Sequence, residues 1–227
     1  GSGGFYQYLY SKRWDHSSWS PASATELESN LNKGISYQLQ TSAMAAVGPA
    51  PETGGSSAGT MIGWAQSGTS TMYYSQWNGS SFPAGSSGPT FATGTYWVVN
   101  KNNPVRNEKV LAGLRENVSS DTLYVSILSD SSWGNQISST VSTTATRCFD
   151  VAVETTSGQV LVVANDNSTG LKYWVWDGSS WIVNGSAYPT SLGSGNVNWV
   201  RLVSKPGSNE IAMIVSTSNS CVYGAVW

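Results

Sequence analysis

The chain has 227 residues, of which 11 % are charged, and a formal net charge of −2. That share is well under the usual quarter and no run of one sign occurs, so nothing steers the chain to nucleic acid or to an anionic membrane surface. No apolar stretch reaches the roughly 18 residues of a spanning helix, and no membrane partner is expected. The polar surface must come from Ser, Thr, Asn and Gly, as it does in many secreted and cell-surface β proteins, and the length suffices for one well-buried repeat domain.

Residues 1–4, Gly-Ser-Gly-Gly, read as a flexible leader or cloning scar. The first β-rich run is Phe5-Tyr6-Gln7-Tyr8-Leu9-Tyr10, leading to Trp14. A hexapeptide begins there, Trp14-Asp15-His16-Ser17-Ser18-Trp19. It returns as Trp77-Asn78-Gly79-Ser80-Ser81-Phe82, as Leu128-Ser129-Asp130-Ser131-Ser132-Trp133 and as Trp176-Asp177-Gly178-Ser179-Ser180-Trp181. Trp227 stands where a fifth copy begins, so the steps are 63, 51, 48 and 51 residues. A period near 50 marks a repeat architecture.

The repeat divides a single domain, residues 5–227, into an extra hairpin at 5–19 and units at 20–82, 83–133, 134–181 and 182–227. Ser23 can cap one helical turn over 24–31. The first unit carries strands at 60–65 and 71–77, and its surplus length is expected in a surface loop from Gly48 to Gly59, rich in Pro, Gly and Ser. The second unit carries strands at 109–114 and 122–128. The last two align without a gap, 147–176 on 198–227. In both, three runs rich in β-branched and aromatic residues are separated by turn chemistry, and a fourth run opens at Trp181.

Val160 to Ala164 has no polar position, so this second strand is expected to be buried on both faces. Four-stranded antiparallel units with one doubly buried strand, repeated about every 50 residues, are the pattern of a β-propeller. The expected fold is therefore all-β and propeller-like, with four or five blades; a β-sandwich is the alternative. Residues 16–20 could supply the edge that the last copy lacks and close the ring, or the chain is a piece of a longer array.

Little chemistry is visible. Cys148 and Cys221 fall at different repeat positions, and two thiols are expected rather than a bridge. Asn78, Asn117, Asn167 and Asn184 match the glycosylation sequon, as chance allows in so Ser- and Asn-rich a chain. A single histidine, His16, cannot build a transition-metal site or a Ser-His-Asp triad, and Asp130, Asp150, Asp166 and Asp177 lack calcium-loop spacing. Glu52, Glu108, Glu116, Glu154 and Glu210 could in principle pair for glycoside hydrolysis but read as solvated turn residues. Glu210 and Lys109 are placed at equivalent turn positions, and Glu154 opposite Lys205. No cofactor is expected.

The repeated aromatics remain. Trp14, Trp77, Trp176 and Trp227 close third strands; Trp19, Phe82, Trp133 and Trp181 open fourth strands. Structurally, each pair clamps a hairpin and packs into the core between units. Functionally, an exposed indole beside Ser, Asn and Asp groups can stack on the apolar face of a sugar ring. The candidate ligand-binding residues are Trp14, Trp19, Trp77, Trp133, Trp176, Asp177 and Trp181.

The string Trp-Asp-Gly-Ser-Ser-Trp at 176–181 resembles the Trp-Asp-Gly-x-x-Trp signature of fucose-binding propeller lectins. The resemblance implies a sugar held between blades by an Arg, a Glu and Trp residues. It covers only the turn: the family's Ile-Arg-Val-Tyr strand is missing and Tyr173 stands where the family has Glu, so its binding set is not carried over. The turn is also similar to the Asp-box of sialidase-type propellers, although Asp and Gly are adjacent here. The expected function is an extracellular or cell-surface, non-enzymatic, multivalent binding module for glycans or other surface ligands. The alternative is an assembly module of a surface adhesin or filament, self-associating through 5–19.

Overall fold

The structure, a computed structural model, describes residues 8–14, 17–29, 45–48, 61–78, 81–115, 120–141, 146–189, 192–193 and 195–227. It is all-β, with strands and turns and no helix among the described residues. Seventeen strands form five antiparallel sheets, each pairing strands in chain order. The first is the hairpin β1 (Leu9–Trp14) and β2 (Trp19–Glu28). The second holds β3 (Ala45–Gly48), β4 (Met61–Ala65), β5 (Thr71–Gln76) and β6 (Ser86–Thr90). The third holds β7 (Thr95–Asn102), β8 (Glu108–Arg115), β9 (Thr122–Ser129) and β10 (Ser132–Thr140). The fourth holds β11 (Phe149–Val153), β12 (Val160–Asn165), β13 (Leu171–Trp176) and β14 (Trp181–Ala187). The fifth has three strands, β15 (Val197–Ser204), β16 (Ile211–Thr217) and β17 (Val222–Val226).

The repeat is visible in the register. Val98 pairs with Gly113, Phe149 with Ala164 and Val200 with Val215, the same pair at steps of 51 residues. First strands of successive sheets pack on one another: β3 on β7, β7 on β11, β11 on β15. Trp97 and Trp199 occupy one repeat position two units apart, and their rings meet edge to face at 5.4 Å. Cys148 holds that position in the unit between and is fully buried, whereas Cys221 is exposed; no bridge joins them.

Burial follows from stacking. Strands β4 and β12 are buried at every position, and β8 at all but its last. This is what a central strand covered by a sheet on each face requires, and Val, Leu, Ile and Ala fill it. At Gly63 on β4 an added Cβ would lie 2.7 Å from Leu111 Cδ1, so the second and third sheets approach too closely for a side chain there. Buried polar groups join the sheets. The Asn100 amide donates to the Met61 carbonyl at 2.8 Å. Asp150, 1 % exposed, accepts the Leu202 N–H of the fifth sheet at 2.9 Å while pairing with Arg147 at 2.7 Å.

Two expectations change. The helical turn over 24–31 is not formed at 24–28, which lie in β2 and pair with β1 through Thr25 and Glu26. The capping signal of Ser23 has lost to a cross-strand ladder. Five sheets rather than two also exclude a simple sandwich among the described residues. The predicted loop from Gly48 begins where β3 ends, and 49–59 lie outside the described residues.

Candidate functional site

The hexapeptides at 77–82, 128–133 and 176–181 link the third and fourth strands of their sheets, and that at 14–19 links the two strands of the first. In three of the four the end residues pair directly: Trp14 with Trp19, Leu128 with Trp133, Trp176 with Trp181. Two of the turns share one hydrogen-bond pattern. Asn78 N–H donates to the Ser81 carbonyl at 3.2 Å and Asp177 N–H to that of Ser180 at 3.1 Å. In return the Ser81 and Ser180 N–H groups donate to the Asn78 and Asp177 side-chain oxygens at 2.9 and 2.8 Å. Asp177 also accepts from the N–H and hydroxyl of Ser179 at 2.7 and 2.8 Å. The Ser180 and Ser179 amides, the Ser179 hydroxyl and the nearby Arg106 charge hold its carboxyl below the usual carboxylate range. Gly178 sits at φ 105, and a Cβ there would come within 2.8 Å of Arg106 Nε, so glycine serves both the turn and the approach of the neighbouring sheet. The turn at 128–133 is tighter, with Asp130 at φ 56.

The aromatic residues point back to the sheet before their own. Trp133 of the third sheet lies edge-on to Tyr74 of the second, centroids 5.4 Å apart. Trp181 of the fourth donates its indole N–H to the Asn135 carbonyl of the third at 2.8 Å. Trp176 donates to Glu108 of the third sheet at 3.2 Å, and Trp227 of the fifth donates to Glu154 of the fourth at 2.9 Å. A buried indole N–H needs an acceptor, and here a carboxylate from the preceding sheet meets it.

The structure thus brings Trp176, Asp177 and Trp181 to one seam where the third and fourth sheets meet. Trp176 is 2 % exposed, so its ring faces are covered by protein. Trp181 is half-buried and tilted against it at 5.6 Å. Trp133 and Trp77 are half-buried on other sheets, Trp77 edge-on to Phe82 at 5.2 Å. Trp19 is 57 % exposed on the hairpin, and the Trp14 side chain lies outside the described residues.

The polar side of this seam is not evident from the sequence. Glu108 and Glu154 are 4 % and 7 % exposed, not solvated turn residues. Glu108 accepts from Asn103 at 3.1 Å and from Arg106 Nε at 2.9 Å, besides Trp176. Asn103 and Arg106 in turn donate to Gly158 and Ser157 carbonyls of the fourth sheet. Glu154 accepts from the Ser157 hydroxyl besides Trp227. Glu210 alone of these three is exposed, and its partner Lys205, together with the Ser208 hydroxyl, keeps its carboxyl acidic. The placement of Lys109 opposite Glu210 is off by one. The N–H groups of Asn103, Glu154 and Lys205 donate to the carbonyls of Glu108, Gln159 and Glu210, which makes Glu108 the match of Glu210. Lys109 then matches Val160 and Ile211, and it is 3 % exposed. Glu52 and Glu116 lie outside the described residues. The available signal was the 51-residue offset combined with the acceptor that a buried indole demands.

Chemically this seam offers a half-buried indole at Trp181, a guanidinium 25 % exposed at Arg106, and the Asp177 turn. That set can hydrogen-bond and stack; among the described residues no group of three or more His, Cys, Asp or Glu can hold a metal ion. Neither the protein-family models nor the curated proteins contain a match to this chain.

Proposed function

We propose that the five sheets are blades of a propeller-like array and that the chain is a non-enzymatic binding module for glycans, acting at the cell surface or outside the cell. The array is supported by meandering sheets at a 51-residue step, by first strands that pack on first strands, and by the meeting of Trp97 and Trp199 from units two apart. The observation that carries the binding reading is the chain of contacts at the seam between the third and fourth sheets. There Arg106 donates to Glu108, Glu108 accepts the Trp176 indole N–H, and Trp176 lies against Trp181, the residue types that the resembling lectins use between blades.

Each residue has a separate role in this reading. Glu108 is spent on Trp176 and Arg106, so these bonds fix how the two sheets meet. Trp181 supplies the stacking face, and Arg106 with the Asp177–Ser180 turn supplies donors and acceptors for sugar hydroxyls. Such a shallow site binds single sugars weakly, at about millimolar strength, and gains from valency. Titrating monosaccharides, fucosides included, while following tryptophan fluorescence should shift the emission, and Trp181→Ala should remove the shift. A glycan array without a hit, together with unchanged emission, rejects the reading.

A further inference from the structure

The fifth sheet is built like the fourth, but among the described residues one of its faces is largely exposed. Ala152, Val163, Leu171 and Val175 of the fourth sheet are 0–3 % exposed. Their counterparts 51 residues on, Val203, Ile214, Val222 and Val226, are 65 %, 56 %, 71 % and 67 % exposed. Along β16 burial alternates strictly from Ile211 to Val215, where β12 is buried throughout. In the fourth sheet this same face receives β15, so its counterpart has the composition and register of a sheet-stacking surface. A shallow depression of about 370 Å³ lies on it between Val203, Pro206, Ala212 and Val226. A contiguous apolar patch of this kind marks an interaction site.

A second bare face lies at the other end of the array. The β1–β2 hairpin packs one side, Leu9 and Leu27, on Ile62 and Trp64 of the second sheet. Its other side presents Tyr8 and Tyr10, 51 % and 53 % exposed and stacked at 6.2 Å, with Glu26 held by the Tyr10 hydroxyl at 3.0 Å. Trp19 is exposed on the same hairpin. The two faces are complementary. One is mainly aliphatic and hollowed, with the Lys205–Glu210 pair at the edge of the depression and Arg201, half exposed and ion-paired with Asp150 at 3.9 Å, on the same face; the other bears projecting aromatics and the carboxylate of Glu26.

We propose that the bare face of β15–β17 docks a second copy of this chain head to tail, receiving the Tyr8–Tyr10 face of that copy's β1–β2 hairpin. The contact continues the stacking that already joins the fourth sheet to the fifth, and Tyr rings enter the depression beside Val203 and Val226. It is heterologous, so repetition leads to a closed ring or an open filament. It is independent of the glycan reading.

Sedimentation velocity over a concentration series tests it with two double variants. Val203→Lys with Ile214→Lys blocks the sheet face, and Tyr8→Lys with Tyr10→Lys blocks the hairpin face. All four positions are more than half exposed, so each variant should keep the unfolding midpoint of the parent; Val226→Lys replaces the first pair if it does not fold. The expected result is concentration-dependent growth of the parent, at least about tenfold weaker association in each variant alone, and dimers in an equimolar mixture of the two, since one intact face of each kind remains. A parent that stays monomeric to about 1 mM overturns the proposal. So does a hairpin variant that associates like the parent, or a mixture that stays monomeric.

Discussion

Val163 and Ile214 hold the same place in the repeat, on the second strands of the fourth and fifth sheets, and each pairs with the same position of its first strand, Asp150 and Arg201. Val163 is fully buried; Ile214 is 56 % exposed. Local sequence and pairing are alike, so the difference comes from what stacks on each sheet. Burial in this fold is a property of neighbours more than of strands, as expected of units that cannot hide both faces alone. Asp150 and Arg201 show the same contrast in polar form: the carboxylate is sealed between sheets and fully bonded, while its counterpart is half in water.

The widest separation between the two sheets is expected from placing a charge at each position. Val163→Lys should lose about 4 kcal/mol or more in urea unfolding, because an unpaired ammonium is forced into a stacked interface. Ile214→Lys should stay within about 0.5 kcal/mol of the parent. Next comes Asp150→Ala, which strands the Arg147 guanidinium and the Leu202 N–H; it should cost about 3–5 kcal/mol, with Asp150→Asn clearly milder because an acceptor remains.

The indole bonds sharpen the comparison further. Trp176→Phe keeps one aromatic ring but deletes the pyrrole with its N–H, leaving a cavity and the buried Glu108 short of a donor, at about 2–4 kcal/mol. Trp227→Phe removes the corresponding bond to Glu154 at the fifth sheet, where one side is open, and should cost about 1 kcal/mol. Equal losses would mean that the two interfaces are sealed alike.

The smallest effect concerns Lys109, which stands where the other sheets have Val160 and Ile211. Burial lowers its pKa from the usual 10.5, so the folded chain releases a proton that the unfolded chain still holds. Stability should therefore rise as pH climbs from the lowered folded value toward 10.5. Lys109→Ile should add about 1 kcal/mol at neutral pH and abolish that alkaline slope, read from unfolding midpoints in a pH series.

Much of this was legible in the residues. Trp176-Asp177-Gly178-Ser179-Ser180-Trp181 is a hairpin turn by its own chemistry, and the unbroken apolar run Val160 to Ala164 marks a strand made to be stacked upon. Glu108 and Glu154 were not legible, because a carboxylate's burial depends on an indole 68 or 73 residues away in another sheet. The strand at 24–28 was hidden for a related reason, since its ladder to β1 outweighs a local capping signal. The exposed face of the fifth sheet was hidden most completely: Ile211 to Val215 reads almost like Val160 to Ala164, and only what packs on each sheet sets them apart.

Thiol labelling in dilute solution tests this dependence on neighbours most directly. In a Cys221→Ser background, Val163→Cys and Ile214→Cys are mixed with a maleimide under native conditions and their rates compared with those in urea. Ile214→Cys should react at close to its unfolded rate, while Val163→Cys should react only through unfolding and so be slower by orders of magnitude. Similar native rates at the two positions would contradict the stacking of one covered and one bare copy of the same sheet.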